Sequence, residues 1–137
     1  MTNARATYMD ASVATASPAR LLVMLYERLV LDVRRGLDAL ERHDIVETHQ
    51  QLTHAQDIVM ELHSSLRTDG FKGAQDLAAL YGFLHRQLVT ANVRKDVGIT
   101  TDCLAIVTTL CDTWRQAALE SVAAVSGAAP GYLAKGA

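Results

Sequence analysis

The side chains that could do chemistry in this chain are five histidines, two cysteines and a set of scattered carboxylates. A di-metal site in a helical bundle needs Glu and His three residues apart, so that both ligands face inward. No Glu of this sequence is followed by a His at that spacing. His49 and His54 are five residues apart, which separates them by about 140° around a helix. The sequence therefore predicts no metal site.

The two cysteines, Cys103 and Cys111, are eight residues apart. On one helix this spacing corresponds to a rise of about 12 Å, whereas a disulfide needs Cα atoms within about 7 Å of each other. We expect two unpaired thiols, buried as small apolar side chains. Unpaired thiols are consistent with a reducing compartment.

His54, Asp57 and Glu61 share one face of a predicted helix. Such a group could act as a general acid and base or hold a metal weakly; the alternative is a solvated or hydrogen-bonded helix surface, which we favour. No nucleophile has a credible base beside it, and no glycine-rich loop joins a strand to a helix, as a phosphate site requires. The sequence therefore predicts a protein that is not an enzyme and binds no cofactor.

Composition narrows the class of protein further. Half of the residues are apolar, only two are proline, and the net charge is −2. This composition favours helix over sheet. No cluster of Lys and Arg is longer than two residues, so we expect no nucleic-acid partner. The longest apolar run, residues 21–26, is far shorter than the ~20 residues of a membrane span. We expect a cytoplasmic protein with no membrane insertion.

The periodicity of the apolar residues predicts an all-α protein with one domain. Short connections between long helices make neighbours antiparallel, so we expect an up-down-up-down four-helix bundle with a flexible N-terminal arm and a disordered C-terminal tail. Ser17, Asp44 and Asp96 are the predicted N-caps of the first, second and fourth helices, and Glu47 could complete a capping box with Asp44. The predicted boundaries are an arm of residues 1–16, a bundle of residues 17–124 with helices at about 18–43, 45–67, 74–92 and 96–124, and a tail of residues 125–137.

The first helix carries more apolar surface than one buried stripe needs. Leu21, Met24 and Leu31 form a second stripe, about 80–100° around the axis from the main one. One explanation is a central helix that is buried on all sides. The other is an open face that binds a helix of a partner.

The N-terminal arm bears on this choice. It contains Tyr8, Met9 and Val13 in an otherwise polar segment without a regular period. These side chains could fold back and shield an apolar face in the free protein.

Four blocks of the sequence, in order, resemble the flagellin export chaperones of the FliS type. The blocks are "YMDASVATASPARLLVMLY" (8–26), "HAQDIVMEL" (54–62), "LYGFLHRQLVTANVRKD" (80–96) and "DTWRQA" (112–117). The first block is similar to a family pattern in which a Tyr precedes a Thr-Ala-Ser-Pro element and a Met-Leu-Tyr sequence. Together the blocks cover roughly residues 8–118.

The resemblance implies a cytoplasmic four-helix bundle that binds the C-terminal helical region of flagellin. Such a chaperone prevents premature polymerisation and delivers flagellin to the flagellar type III export gate, with other flagellar assembly regulators as further partners. The predicted flagellin-binding residues are Leu21, Met24, Leu25, Leu31, Ile58, Tyr81 and Val89, and the predicted self-capping residues of the arm are Tyr8, Met9 and Val13. The alternative is a homodimeric four-helix-bundle scaffold or regulator without catalytic activity.

Overall fold

The computed structural model describes the backbone of residues 17–134 and the side chains of residues 17–121. The described backbone is helical and contains no strand. Each helix packs against the next one in the chain, and the last helix returns against the first. This order gives the predicted antiparallel four-helix bundle. The helices are α1 (Pro18–Glu41), α2 (Ile45–Ser65), α3 (Ala74–Arg94) and α4 (Val97–Ala134).

Side-chain caps set the starts of α1 and α2. The Ser17 hydroxyl accepts a hydrogen bond from the backbone N–H of Arg20 at 3.1 Å, and the Asp44 carboxylate accepts one from the N–H of Glu47 at 3.0 Å. Both predicted N-caps are confirmed. The capping box is incomplete, because the Glu47 carboxylate instead accepts a hydrogen bond from the side chain of Gln51 at 2.8 Å.

The turns between the helices contain residues with positive φ. His43 in the first turn has φ 58° and Lys95 in the last turn has φ 51°, a conformation that stops a right-handed helix. Gly73, with φ 91°, precedes α3 without a side-chain cap. Asp96 caps α4 as predicted, since its carboxylate accepts a hydrogen bond from the N–H of Ile99 at 2.8 Å.

The core lies along the bundle axis and receives side chains from all four helices. At Gly36 the helices α1 and α2 approach so closely that a Cβ there would lie 2.6 Å from Cδ2 of Leu52. Cys103 and Cys111 are buried and unpaired, as expected. The largest fully buried apolar and aromatic side chains are Tyr26, Tyr81, Leu29, Leu52, Leu84, Leu88, Val33, Val59 and Val107.

All four helices end at residues other than the predicted ones, α1, α2 and α3 within about two residues and α4 well beyond its predicted end. Helix α1 ends at Glu41 rather than near residue 43, because His43 adopts a positive φ. Helix α4 continues to Ala134, into the segment predicted as a tail, where the alanines favour a helix and Gly127, Pro130 and Gly131 disfavour it. The predicted arm of residues 1–16 lies outside the described residues. None of the helices described combines the length and apolar composition needed to cross a bilayer.

Candidate partner-binding surface

An aromatic cluster joins three helices at the end of the bundle where α1 begins. The ring of Tyr26 in α1 stacks on Trp114 in α4 with centroids 6.4 Å apart. Phe71, in the connection between α2 and α3, meets the same indole edge-on at 6.3 Å. Tyr26 and Tyr81 share a buried hydroxyl–hydroxyl hydrogen bond. The cluster therefore links α1, α3 and α4 with the α2–α3 connection.

Burial raises the pKa of both phenols, Tyr26 and Tyr81. Both hydroxyls therefore keep their protons, and one can donate to the other. Beside them is a cavity of about 190 Å³. Among the residues that line this cavity are Leu22, Leu62, Leu66, Phe71, Leu77 and Trp114.

Helix α1 exposes part of its apolar surface. Leu21, Met24 and Leu25 are half-buried, and 38% of Leu31 is exposed. Among residues 17–134 the helix packs mainly against two neighbours, α2 and α4, so these elements flank it and do not enclose it. The interpretation of α1 as a central helix buried on all sides is therefore wrong, and an outward apolar face exists on it.

The other predicted flagellin-binding residues do not join this face. Ile58 is only 6% exposed and Tyr81 only 2%, so neither offers a surface to a partner in this structure. Ile58 belongs to the apolar core, and the hydroxyl of Tyr81 is taken by Tyr26. Val89 is half-buried on α3, a helix that does not flank α1. The seven residues thus divide into an α1 group, two core residues and one separate position.

A groove between the start of α1 and the second half of α4 was not predicted from the sequence. It encloses a cavity of about 580 Å³. Glu27 and Arg115 join across its two helices in an ion pair of 3.2 Å, and the exposed Leu119 adds apolar surface. The sequence did contain one signal of this groove, because Leu119 lies outside the apolar stripe that is buried on α4. We call this site the α1–α4 groove; the residues within 17–121 that line it are Ser17, Pro18, Ala19, Arg20, Val23, Glu27, Arg115, Ala118, Leu119 and Ser121.

A buried carboxylate ties α1 to α2. Asp32 is fully buried; one of its oxygens accepts a hydrogen bond from Nε of Arg28 at 2.9 Å, and the other is hydrogen-bonded to Nδ1 of His54. His54 thus belongs to a hydrogen-bonded helix surface, the interpretation favoured above. Sequence reasoning missed Asp32, although a carboxylate within an apolar stripe, four residues after an arginine, is a recognisable signal.

The surface contains binding features and little that could react. In the part of the chain with described side chains, no group of three or more His, Cys, Asp or Glu could hold a metal ion. Burial raises the pKa of the Cys103 thiol to about 11 and that of Cys111 in the same direction. Both thiols are therefore protonated near neutral pH and poorly nucleophilic.

Comparisons with known proteins agree on one family. Residues 1–121 match the family described as "Flagellar protein FliS". The flagellar secretion chaperone FliS of Bacillus subtilis is 32% identical over 115 residues, which cover 84% of this chain and 86% of that protein. The same chaperone of Vibrio cholerae is 28% identical over 109 residues, 79% of this chain and 80% of its own.

A solved structure shows the same fold. It is described as the crystal structure of a flagellar chaperone from bacteria, and it superposes with a TM-score of 0.69 at 23% identity. The match covers 87% of this chain and 98% of the other. The all-α four-helix architecture of the described residues is thus shared with a flagellar chaperone.

Proposed function

This chain belongs to the FliS family of flagellar proteins, and from that premise we propose that it is an export chaperone that binds the C-terminal helical region of flagellin. Binding would keep flagellin from polymerising early and deliver it to the export gate of the flagellar type III apparatus. The protein would act in the cytoplasm and have no catalytic activity. Other flagellar assembly regulators would be further partners.

The observation that carries this proposal is the apolar surface that α1 leaves partly exposed on its outward face and in the α1–α4 groove. The partly exposed Leu21, Met24 and Leu31 lie on the outward face of α1, and the α1–α4 groove lies where α1 meets α4. A client segment that becomes ordered on binding loses conformational entropy, so it needs a long apolar contact to offset that loss. Burying each Leu or Met side chain contributes roughly 1.5–3 kcal/mol when it is fully exposed beforehand, and less for side chains already half-buried.

We also propose that the N-terminal arm covers part of this surface in the free protein. The arm joins the bundle at Ser17, which lines the α1–α4 groove. Tyr8, Met9 and Val13 are its larger apolar residues apart from Met1, and these are the side chains that would occupy the groove. Flagellin would displace the arm, since both would compete for the same apolar contacts.

Calorimetric titration of the full chain with a purified flagellin C-terminal fragment tests the proposal. We expect binding in the micromolar range or tighter. No heat and no co-elution at about ten times that concentration would overturn it. A chain that lacks residues 1–16 should bind more tightly if the arm competes. Light scattering of the chaperone alone distinguishes the alternative, because a homodimeric scaffold would dimerise without flagellin.

A further inference from the structure

The outward face of α1 repeats with the spacing of a coiled-coil seam. Leu21, Met24, Arg28, Leu31 and Arg35 follow one another at intervals of three, four, three and four residues. This 3.5-residue average keeps them on one line along the helix, with a drift of only about 20° per heptad. We call these five residues the α1 strip. All five are half-buried or exposed.

Arg28 lies in the middle of the α1 strip, and a hydrogen bond to a buried carboxylate orients its side chain. Its Nε donates to the buried Asp32 at 2.9 Å, and 39% of its side chain is exposed. His54 of α2 occupies the other carboxylate oxygen. The two terminal nitrogens of the guanidinium have no side-chain hydrogen-bond acceptor among residues 17–121. Asp32 therefore acts as a positioning residue, and Arg28 keeps donors available to a partner.

Arg35 places a second cation on the α1 strip, two helical turns after Arg28. It is exposed, and no ion pair is formed by it within residues 17–121. The acidic residues Asp57 and Glu61 of α2 are on the exposed side of their helix, and neither forms an ion pair with Arg28 or Arg35. The strip thus offers apolar contacts interrupted by two cations.

We propose that the α1 strip binds an amphipathic helix that carries two carboxylates seven residues apart, one facing Arg28 and one facing Arg35. Apolar residues three or four positions from each carboxylate would cover Leu21, Met24 and Leu31. The inference rests on the proposed function, since it names the chemistry that the flagellin segment would present to this face. A purely apolar helix would dehydrate the terminal nitrogens of Arg28 and the guanidinium of Arg35 without offering them an acceptor, which disfavours it. The arginines therefore set the register of the bound helix, as a single polar residue does in a coiled-coil seam.

The binding of two probes to the full chain tests whether the α1 strip recognises such a helix. The first probe is the flagellin C-terminal fragment; the second is a designed helical peptide with Glu at two positions seven apart and Leu at the 3–4 spacing between them. The variants are Arg28→Gln and Arg35→Gln, singly and together, because Gln keeps an amide donor for Asp32. The matched control is Arg34→Gln, an exposed arginine about 120° around α1 from Arg28.

Each single variant should weaken the binding of both probes about three- to tenfold, since an ion pair at a partly exposed site contributes modestly. The double variant should also lose most of the salt dependence of binding, whereas Arg34→Gln should bind as the wild type does. A peptide with Lys in place of both Glu should bind the wild type at least tenfold more weakly than the Glu peptide does.

The outcomes separate the two proposals. If the flagellin fragment binds and the double variant binds it as tightly as the control does, the strip inference is overturned and the proposed function stands. If the Glu peptide binds in an arginine-dependent way and the fragment does not bind, the recognition chemistry stands and flagellin is the wrong client. If neither probe binds, both proposals are overturned. Circular dichroism of every variant shows whether the bundle has folded, and Arg35→Gln breaks no ion pair among residues 17–121.

Discussion

The hydroxyl of Tyr26 in α1 is hydrogen-bonded to the hydroxyl of Tyr81 in α3, two helices that do not flank each other in the bundle. Both phenols are buried, and Trp114 stacks on the first of them. The pair spans the interior next to the small cavity under Phe71. It fixes the distance between opposite helices at the end of the bundle where the proposed flagellin surface begins.

Removing both hydroxyls of this pair should cost less than the sum of the two single removals. Tyr26→Phe or Tyr81→Phe leaves the other hydroxyl buried without its partner, which we expect to lower the free energy of unfolding by about 1–3 kcal/mol. The double variant leaves no orphaned hydroxyl in the pair and should lose less than the sum of the two single losses. Urea unfolding measures all four proteins. Additive single losses would show that the hydrogen bond contributes nothing of its own.

The contact between His54 and Asp32 should be stabilising although half of the imidazole is exposed. His54→Ala leaves the buried carboxylate with Arg28 as its remaining side-chain partner. We expect the free energy of unfolding to fall by about 1–2 kcal/mol, discounted for the exposure of the ring. Asp57→Ala, an exposed neighbour on the same helix, is the control and should stay within about 0.5 kcal/mol of the wild type. Equal effects of the two substitutions would contradict this role of His54.

Two glycines inside helices should respond to alanine in opposite directions. In Gly36→Ala the new Cβ would lie 2.6 Å from Leu52, a fully buried side chain with little room to move. We expect a loss of about 1–3 kcal/mol from this overpacking. In Gly82→Ala the nearest atom is at 3.4 Å, on the flexible side chain of Arg86, so the better helix propensity should raise stability by up to about 1 kcal/mol. Thermal unfolding measures the stability of both variants against the wild type. A stabilising Gly36→Ala would show that α1 and α2 can move apart without loss of stability.

Charged substitutions on the outer face of α1 should separate binding from folding. Leu21→Asp and Met24→Asp introduce a charge at half-buried positions, and we expect weaker binding to the flagellin fragment with an unchanged helical circular dichroism spectrum. Leu29→Asp, at a fully buried position, is the matched control and should unfold the bundle. Loss of helicity in the first two variants would instead place those residues in the core.

The buried cysteines make alkaline pH destabilising. Burial raises the pKa of Cys103 from its ordinary 9.0 to about 11, so between these values the unfolded chain loses the thiol proton while the folded chain retains it. The free energy of unfolding should therefore fall as the pH rises from 9.0 to about 11. Cys103→Ala removes this part of the pH dependence, which urea titrations at several pH values would detect. A pH profile identical in the variant would show that the thiol is not the cause.

The sequence anticipated the bundle because its signals are local. The Ser17, Asp44 and Asp96 caps and the 3–4 spacing of the apolar residues predict the helices, and the short connections predict their antiparallel order. The ends of the helices were less predictable. His43 and Lys95 take a positive φ, a backbone choice that depends on how the neighbouring helices pack as much as on residue type.

The candidate surface could be predicted only in part. The excess of apolar residues on α1 was visible in the sequence, and the structure places Leu21, Met24, Leu25 and Leu31 at half-buried or exposed positions. Ile58 and Tyr81 were proposed for the same surface but are buried. Helical periodicity gives the angle of a side chain on its own helix. It does not say whether another helix covers that angle.

The sequence by itself thus determined the helices, their caps, the family and the unusual apolar content of α1, since each depends on residue types at short separations. Only the tertiary structure decided which side chains of those helices are buried and which of them contact one another. The contact of the buried Asp32 with His54, the pairing of Tyr26 with Tyr81 and the groove between α1 and α4 join residues from 22 to about a hundred positions apart. Such contacts follow from how the helices are rotated against one another, and packing of the whole core sets that rotation.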